Sequence, residues 1–163
     1  MSKILIVAEH DGARLNPSTG KCVTCAARVP GASIDVLVLA ADASTVAAQA
    51  AAIAGVDKVL VVDNAANAES IAAVLAARVA NRAAGYTHVF GPSTTFGKDL
   101  MPRVAALLGV GQVSDIMAVE GAHRFKRPIY AGNAVLTVDV PADTKVVATV
   151  RVASFEAAAT GGS

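Results

Sequence analysis

Four short runs rich in β-branched residues, at positions 4–8, 34–39, 59–62 and 88–90, are each separated by a segment long enough to hold a helix. Consecutive parallel strands need a crossover of a dozen or more residues, usually a helix, and a sheet built this way is covered on both faces. The alternation therefore predicts an α/β domain with three layers. Its strands should read as nearly continuous apolar stretches.

The helix signals fall in the intervals. Asn16 before Pro17 is a cap followed by a first-turn proline, and Asp42 is placed to cap a helix over 43–54 that Gly55 then stops. Ile71, Val74, Leu75 and Val79 recur at helical spacing while Arg78 and Arg82 face away, and Gly85 terminates the segment. A fourth helix carries Leu100, Val104, Leu107 and Leu108 before Gly109, with Pro102 expected in its first turn, where its missing N–H does no harm. Beyond Gly109 the runs 113–119, 134–140 and 146–152 are strand-like and no helix follows any of them. The last two alternate across residues 141–144, which predicts a hairpin. The expected fold is thus a three-layer, doubly wound sheet, parallel in the first half with an antiparallel hairpin in the second.

Composition narrows what such a domain does. The 163 residues are 54% hydrophobic but only 4% aromatic, so alanine-rich helices lie on a valine-rich sheet. A net charge of +1 with no basic run argues against nucleic acid as a partner. No apolar run approaches the roughly 18 residues of a membrane-spanning helix. The first apolar stretch turns acidic too soon, at Glu9, for a signal peptide core. With two cysteines and no disulfide framework, the expected compartment is the cytoplasm or an equally reducing one.

Three motifs invite chemistry. Cys22 and Cys25 form a C-x-x-C, but a redox dithiol needs its first cysteine at a helix N-terminus. Pro17 opens the helix more than a turn earlier, so two buried, reduced thiols are expected. Residues 91–99 (GPSTTFGKD) lie between a strand and a helix as a phosphate loop does, yet five residues separate the glycines and Asp99 stands where a hydroxyl should hold magnesium. Helix capping explains the hydroxyls there. Arg124, Lys126 and Arg127 form a short basic cluster that reads as a solvated surface. His10, His88 and His123 are scattered singly, and no metal site is expected.

Four segments in order carry a resemblance: 96–108 (FGKDLMPRVAALL), 114–116 (SDI), 127–134 (RPIYAGNA), and Val150-Arg151 with 154–158 (SFEAA). Together with the opening strand through Glu9 and His10, they are similar to the alpha subunit of electron transfer flavoproteins, along nearly the whole chain. The resemblance implies an amino-terminal α/β domain over 1–155 and, over 156–163, the start of a linker to a carboxy-terminal domain that holds most of the FAD. No cofactor-binding or catalytic residue is then expected in this chain. The resemblance further implies pairing with a beta subunit, and a two-subunit electron carrier, not itself an enzyme, that accepts electrons from dehydrogenases and passes them through FAD to a quinone oxidoreductase. Arg127, Tyr130, Asn133, Arg151 and Phe155 sit in the matched segments and are of types that anchor interfaces or fix turns, so they are the expected assembly residues. The competing reading is a stand-alone adenine-nucleotide-binding domain using Glu9, His10 and the turn at 91–95. A weaker third is a small hydrolase using Ser93 or Ser114.

Overall fold

The computed structural model describes residues 1–161. Six parallel strands form the main sheet: β1 (Ser2–Val7), β2 (Ala32–Ala40), β3 (Lys58–Asp63), β4 (His88–Pro92), β5 (Gln112–Ile116) and β9 (Val146–Val150), in the order β3-β2-β1-β4-β9-β5. A second sheet of three antiparallel strands holds β6 (Ala118–Gly121), β7 (Arg124–Ile129) and β8 (Ala134–Asp139) in sequential order.

Side-chain alternation in the main sheet builds two cores. Ile4 and Ile6 of β1 and Val36 and Val38 of β2 face the helices α1 (Ser18–Ala26) and α2 (Ser44–Ala51). Leu5, Val7, Leu37 and Leu39 face α3 (Ala72–Arg82) and α4 (Thr95–Leu107) on the other side. Strands buried on both faces have no polar side to show, which is why β1 and β2 read as continuous apolar runs. The helix caps follow the sequence closely: the Asn16 side chain accepts from the Ser18 amide at 2.9 Å, and Asp42 accepts from the Ser44 amide at 3.0 Å.

The α/β class and the parallel sheet hold, but the expected hairpin between 134–140 and 146–152 does not form. Residues 141–144 do turn, with the Thr144 amide on the Pro141 carbonyl, but the turn joins two sheets: β8 pairs with β7, and β9 inserts between β4 and β5. All five residues of β9 are buried, and its one polar side chain, Thr149, accepts from the Asp115 amide at 2.8 Å. That burial marks an interior parallel strand. The antiparallel part of the fold instead comprises the β6–β7 and β7–β8 pairs. The run 113–119 is likewise two strands in two sheets, broken at Met117, after a bulge in β5 where Asp115 takes a positive φ of 58°.

Helix α4 differs in two details. Pro102 lies inside it, not in its first turn; both Pro102 and Lys98, whose carbonyl loses the proline's N–H as partner, are exposed residues. Its inward stripe is Leu100, Met101, Val104 and Ala105, while Leu107 points outward at 55% exposure. After Phe155 the chain lies back on the domain. The Ala158 amide donates to Gly20, Ala54 donates to Ala159, and Gly161 donates to Ala52. Of the segment read as a linker start, Gly162 and Ser163 lie outside the described residues.

Candidate functional site

In an open parallel sheet, ligands bind beyond the strand carboxyl ends where the winding reverses direction. Here that point lies between β1 and β4, since the chain runs outward through β2 and β3 on one side and returns to β4 on the other. The amino ends of α1 and α4 both arrive there, each presenting the positive end of its dipole. Glu9 occupies the spot. Its Oε2 accepts from the Ser18 hydroxyl at 3.1 Å and from the Thr94 hydroxyl at 2.8 Å, and its main-chain carbonyl accepts from Asn16 at 2.8 Å. The chain thus supplies its own anion at the switch point.

The glycines of 91–99 serve packing. A Cβ on Gly97 would stand 1.7 Å from the Pro92 carbonyl oxygen, and one on Gly91 would meet the Met101 side chain at 2.7 Å. Thr94 caps α4 by accepting from the Gly97 amide while donating to Glu9. Capping therefore accounts for this loop. Cys22 and Cys25 are buried free thiols in α1, and burial pushes the Cys25 thiol up to about 12 and Cys22 up as well. Neither is a reactive thiolate.

Among the described residues, no histidine hydrogen-bonds to Ser93 or Ser114, the serines of the hydrolase reading. Among the described residues, His10 is held between the Leu39 carbonyl and the Gly12 amide, and His88 lies between the Ala122 carbonyl and Thr87. Ser114 accepts from Gln112. No three of the described His, Cys, Asp or Glu residues cluster in a way that would hold a metal ion.

The second sheet is the outward-reaching part of the molecule. It is anchored by Phe125, fully buried and edge-on to Phe90 with ring centroids 6.4 Å apart, and by His88 Nε2 donating to the Ala122 carbonyl at 2.6 Å. Two residues of its basic cluster are paired across strands, Arg124 with Asp139 and Lys126 with Glu120, each pair at 2.8 Å. At the β7–β8 turn Tyr130, Ala131 and Gly132 all adopt positive φ, which is costly for the first two. The turn thereby holds Tyr130 out at 79% exposure, near the exposed Val135 and Leu136 of β8.

The five expected assembly residues separate into three groups. Arg127 donates from Nε to the Ser114 carbonyl at 2.6 Å, and Arg151 approaches Asp115 at 3.7 Å, so these two meet around the end of β5. Asn133 holds the turn by donating to the Tyr130 carbonyl at 3.0 Å, which joins Tyr130 and Asn133. Phe155 stands apart: it is 3% exposed, in the core, with the Arg28 guanidinium 5.2 Å from its ring. Glu9 enters the sequence reading only within the nucleotide-binding alternative, and its place as an internal anion tying two helix starts to β1 was not expected. Its only sequence signal was an acid directly after a strand, with hydroxyl residues at the starts of two helices.

A profile described as the electron transfer flavoprotein domain matches residues 4–163. The chain belongs to the electron transfer flavoprotein family. It is 48% identical over 161 residues to the electron transfer flavoprotein subunit alpha of Pseudomonas aeruginosa, covering 98% of this chain and 52% of that protein. The alpha subunit of Paracoccus denitrificans is 45% identical, with 100% and 52% covered, and the mitochondrial alpha subunit of Dictyostelium discoideum is 38% identical, with 99% and 47% covered. The chain thus spans about half the length of the curated relatives it matches, and it corresponds to the amino-terminal part of the alpha subunit.

For an electron transfer flavoprotein chain, the test is whether these residues fit a flavin. At the switch point they do not: the pyrophosphate of FAD or of an adenine nucleotide would meet the Glu9 carboxylate where it needs amide donors, and the loop glycines are closed against Pro92 and Met101.

Proposed function

We propose that this chain is the amino-terminal scaffold domain of an electron transfer flavoprotein alpha subunit, and that its work is to hold partners in place. The observation that carries the reading is the filled switch point: both helix ends that would bind a phosphate are engaged through their hydroxyls by Glu9. What the domain offers instead is the second sheet, with Tyr130, Val135 and Leu136 exposed at and beside a backbone held in the left-handed region. An exposed aromatic on a constrained turn suits an interface anchor. The reading assigns Tyr130 and Asn133 to the contact with a beta subunit, Arg127 and Arg151 to the edge beside β5, and Phe155 to the core that supports them.

In the intact assembly, FAD is held mainly by a carboxy-terminal alpha domain, and residues 156–163 lead toward it. Relatives about twice as long as this chain support that arrangement. The assembly is an electron carrier and not an enzyme, taking electrons from dehydrogenases and delivering them to a quinone oxidoreductase. It works in the cytoplasm or a comparably reducing compartment, which suits two unpaired thiols. Among the described residues, no helix is long and apolar enough to cross a membrane.

The test is reconstitution. Mixing this chain with a beta subunit and a separate carboxy-terminal alpha domain should restore a flavin absorbance that no component retains alone after dialysis, and Tyr130→Ala should weaken the assembly. Flavin absorbance kept by this chain on its own would overturn the reading. So would tight binding of an adenine nucleotide to this chain in calorimetry, which would favour the nucleotide-binding alternative.

A further inference from the structure

Strand β3 closes the main sheet on the side opposite β5, the strand against which the second sheet packs. It pairs with β2 alone, so its outer edge carries a row of unpaired main-chain donors and acceptors. Proteins ordinarily blunt such an edge with charge, proline or a bulge. Here Lys58 and Asp63 stand at the two ends, but the residues between them are Val59, Leu60, Val61 and Val62, in unbroken register with β2. Val61 is 41% exposed. The edge is apolar and regular, and it is open to pairing with another strand.

The helix above this edge sets the chemistry of the strand that fits it. Leu60 and Val62 face the core under α3 and α4, while Val59 faces the core on the other side of the sheet. At this border α3 brings Arg78, Asn81 and Arg82 together with Val62 around an open hollow of about 320 Å³ that has no acidic residue in its lining. Neither arginine is in an ion pair among the described residues, although Arg78 is half-buried. Arg82 lies in the last turn of α3, where a cation suits the helix dipole. Arg78, one turn earlier, has no such explanation.

A strand laid beside β3 places every second side chain on the α3 face, under the two guanidiniums, and the others on the face of Val61. The spacings agree: residues one helical turn apart have Cβ atoms about 5–6 Å from each other, and alternate residues of a strand are about 6.6 Å apart. Two acidic residues at i and i+2 therefore meet Arg78 and Arg82 together, with an apolar residue between them on the Val61 side. We propose that the β3 edge docks an extended segment of a partner polypeptide in which acidic and apolar residues alternate, added to the main sheet as a further strand. A second copy of this chain is a poor occupant, because pairing β3 with β3 brings four arginines to one seam. The surface goes beyond the contact assigned to Tyr130, which lies at the other end of the molecule's strand order.

The test titrates the ¹⁵N-labelled chain with the blocked peptide Glu-Val-Glu-Val-Glu, and separately with Lys-Val-Lys-Val-Lys and Glu-Pro-Glu-Pro-Glu, at constant ionic strength. The first should give saturable shifts along β3 and at the Arg78 side chain, with slowed exchange of β3 amides. The second carries the wrong charge and the third lacks the amides that a ladder needs, so neither should bind there. Arg78→Gln and Arg82→Gln should each weaken the first peptide about two- to five-fold, while Arg103→Gln at an exposed position of α4 leaves it unchanged. The lysine peptide tests charge on the unaltered chain, so the result does not hinge on how a variant folds. The proposal fails if shifts stay linear to about 10 mM, a concentration that would saturate a millimolar site. It fails equally if the proline or lysine peptide binds as well as the first. Protection of β3 that grows with protein concentration in the absence of peptide would assign the edge to a second copy and overturn it too.

Discussion

Among the described residues, the interior of the main sheet contains one carboxylate, Asp35, and its one side-chain partner sets up a measurable test. Asp35 on β2 is 2% exposed and accepts from the Tyr86 hydroxyl at 2.6 Å, with Tyr86 itself 8% exposed. A hydrogen bond to a charged group contributes about 1.5–3 kcal/mol, and removing the donor also leaves the acceptor desolvated and unpaired. Tyr86→Phe should therefore destabilise the protein by about 1.5–3 kcal/mol at pH 7, read as a lower urea midpoint at unchanged slope. In a chain of this size each kcal/mol moves Tm by about 2–4 °C, so a fall of roughly 3–12 °C is expected. On an Asp35→Asn background the acceptor is neutral and the same substitution should cost only about 0.5–1.5 kcal/mol. Alkaline titration gives an internal control. Burial, and then the bond to and charge of Asp35, push the Tyr86 hydroxyl well above its ordinary value of 10. A raised acid contributes stability that is present below the unfolded value and lost as pH rises beyond it, so the parent should lose stability above about pH 10, and Tyr86→Phe should lack that limb. A loss under about 0.5 kcal/mol, or equal losses on both backgrounds, would refute the argument.

Four further outcomes follow from the packing. Gly97→Ala should cost about 3 kcal/mol or more by forcing a Cβ onto the Pro92 carbonyl, whereas Gly111→Ala, which meets nothing within 4 Å, should be near neutral in the same denaturation assay. Native protein should label slowly at both cysteines at pH 8, since a thiol at about 12 is ionised only about one part in ten thousand, and two equivalents should react in urea. Burial holds His88 below its ordinary 6.5, with His123 and Lys145 adding repulsion. Stability is then present above pH 6.5 and lost as pH falls below it, and His88→Gln should flatten that acid limb. Glu9→Ala should lower stability by about 1–3 kcal/mol and make the protein newly responsive to phosphate, seen as a rise in Tm with phosphate that the parent does not show.

How much of this was legible in the sequence depended on whether a signal was local. The first four strands and their helices were legible because each apolar run has a cap or a glycine at its borders, as at Asn16, Asp42 and Gly55. The second half was not. Residues 146–150 (VVATV) look like an alternating edge strand, but Thr149 turns its hydroxyl to the Asp115 amide and the strand lies wholly inside the sheet. The run 113–119 divides between two sheets at Met117, and the bulge just before it places Asp115 at positive φ, which an aspartate tolerates and does not announce. Leu107 and Leu108 are equally apolar, and only the placement of α4 on the sheet decides that Leu107 faces water. The site was less legible still. Glu9, Ser18 and Thr94 are far apart in sequence and meet only once two helices converge on one strand end.

That convergence also bears on the proposed scaffold role. Winding a sheet in two directions from β1 brings the positive ends of α1 and α4 to one crevice, and such a crevice is stable only with an anion or water in it. If the anion is a ligand, the domain is a binding protein and its surface must stay open there. When the chain supplies the anion itself, as Glu9 does, the two helices are tied to β1 whether or not any ligand is present. The core is then complete without a cofactor, and the three-stranded sheet, joined to it through Phe125 and His88, rests on a fixed base. A constrained turn at Tyr130 is useful to a partner only if its base does not shift. On the proposed reading, the filled crevice and the exposed turn belong together, because rigidity at the carboxyl edge of the main sheet would let the far sheet present Tyr130 to a partner.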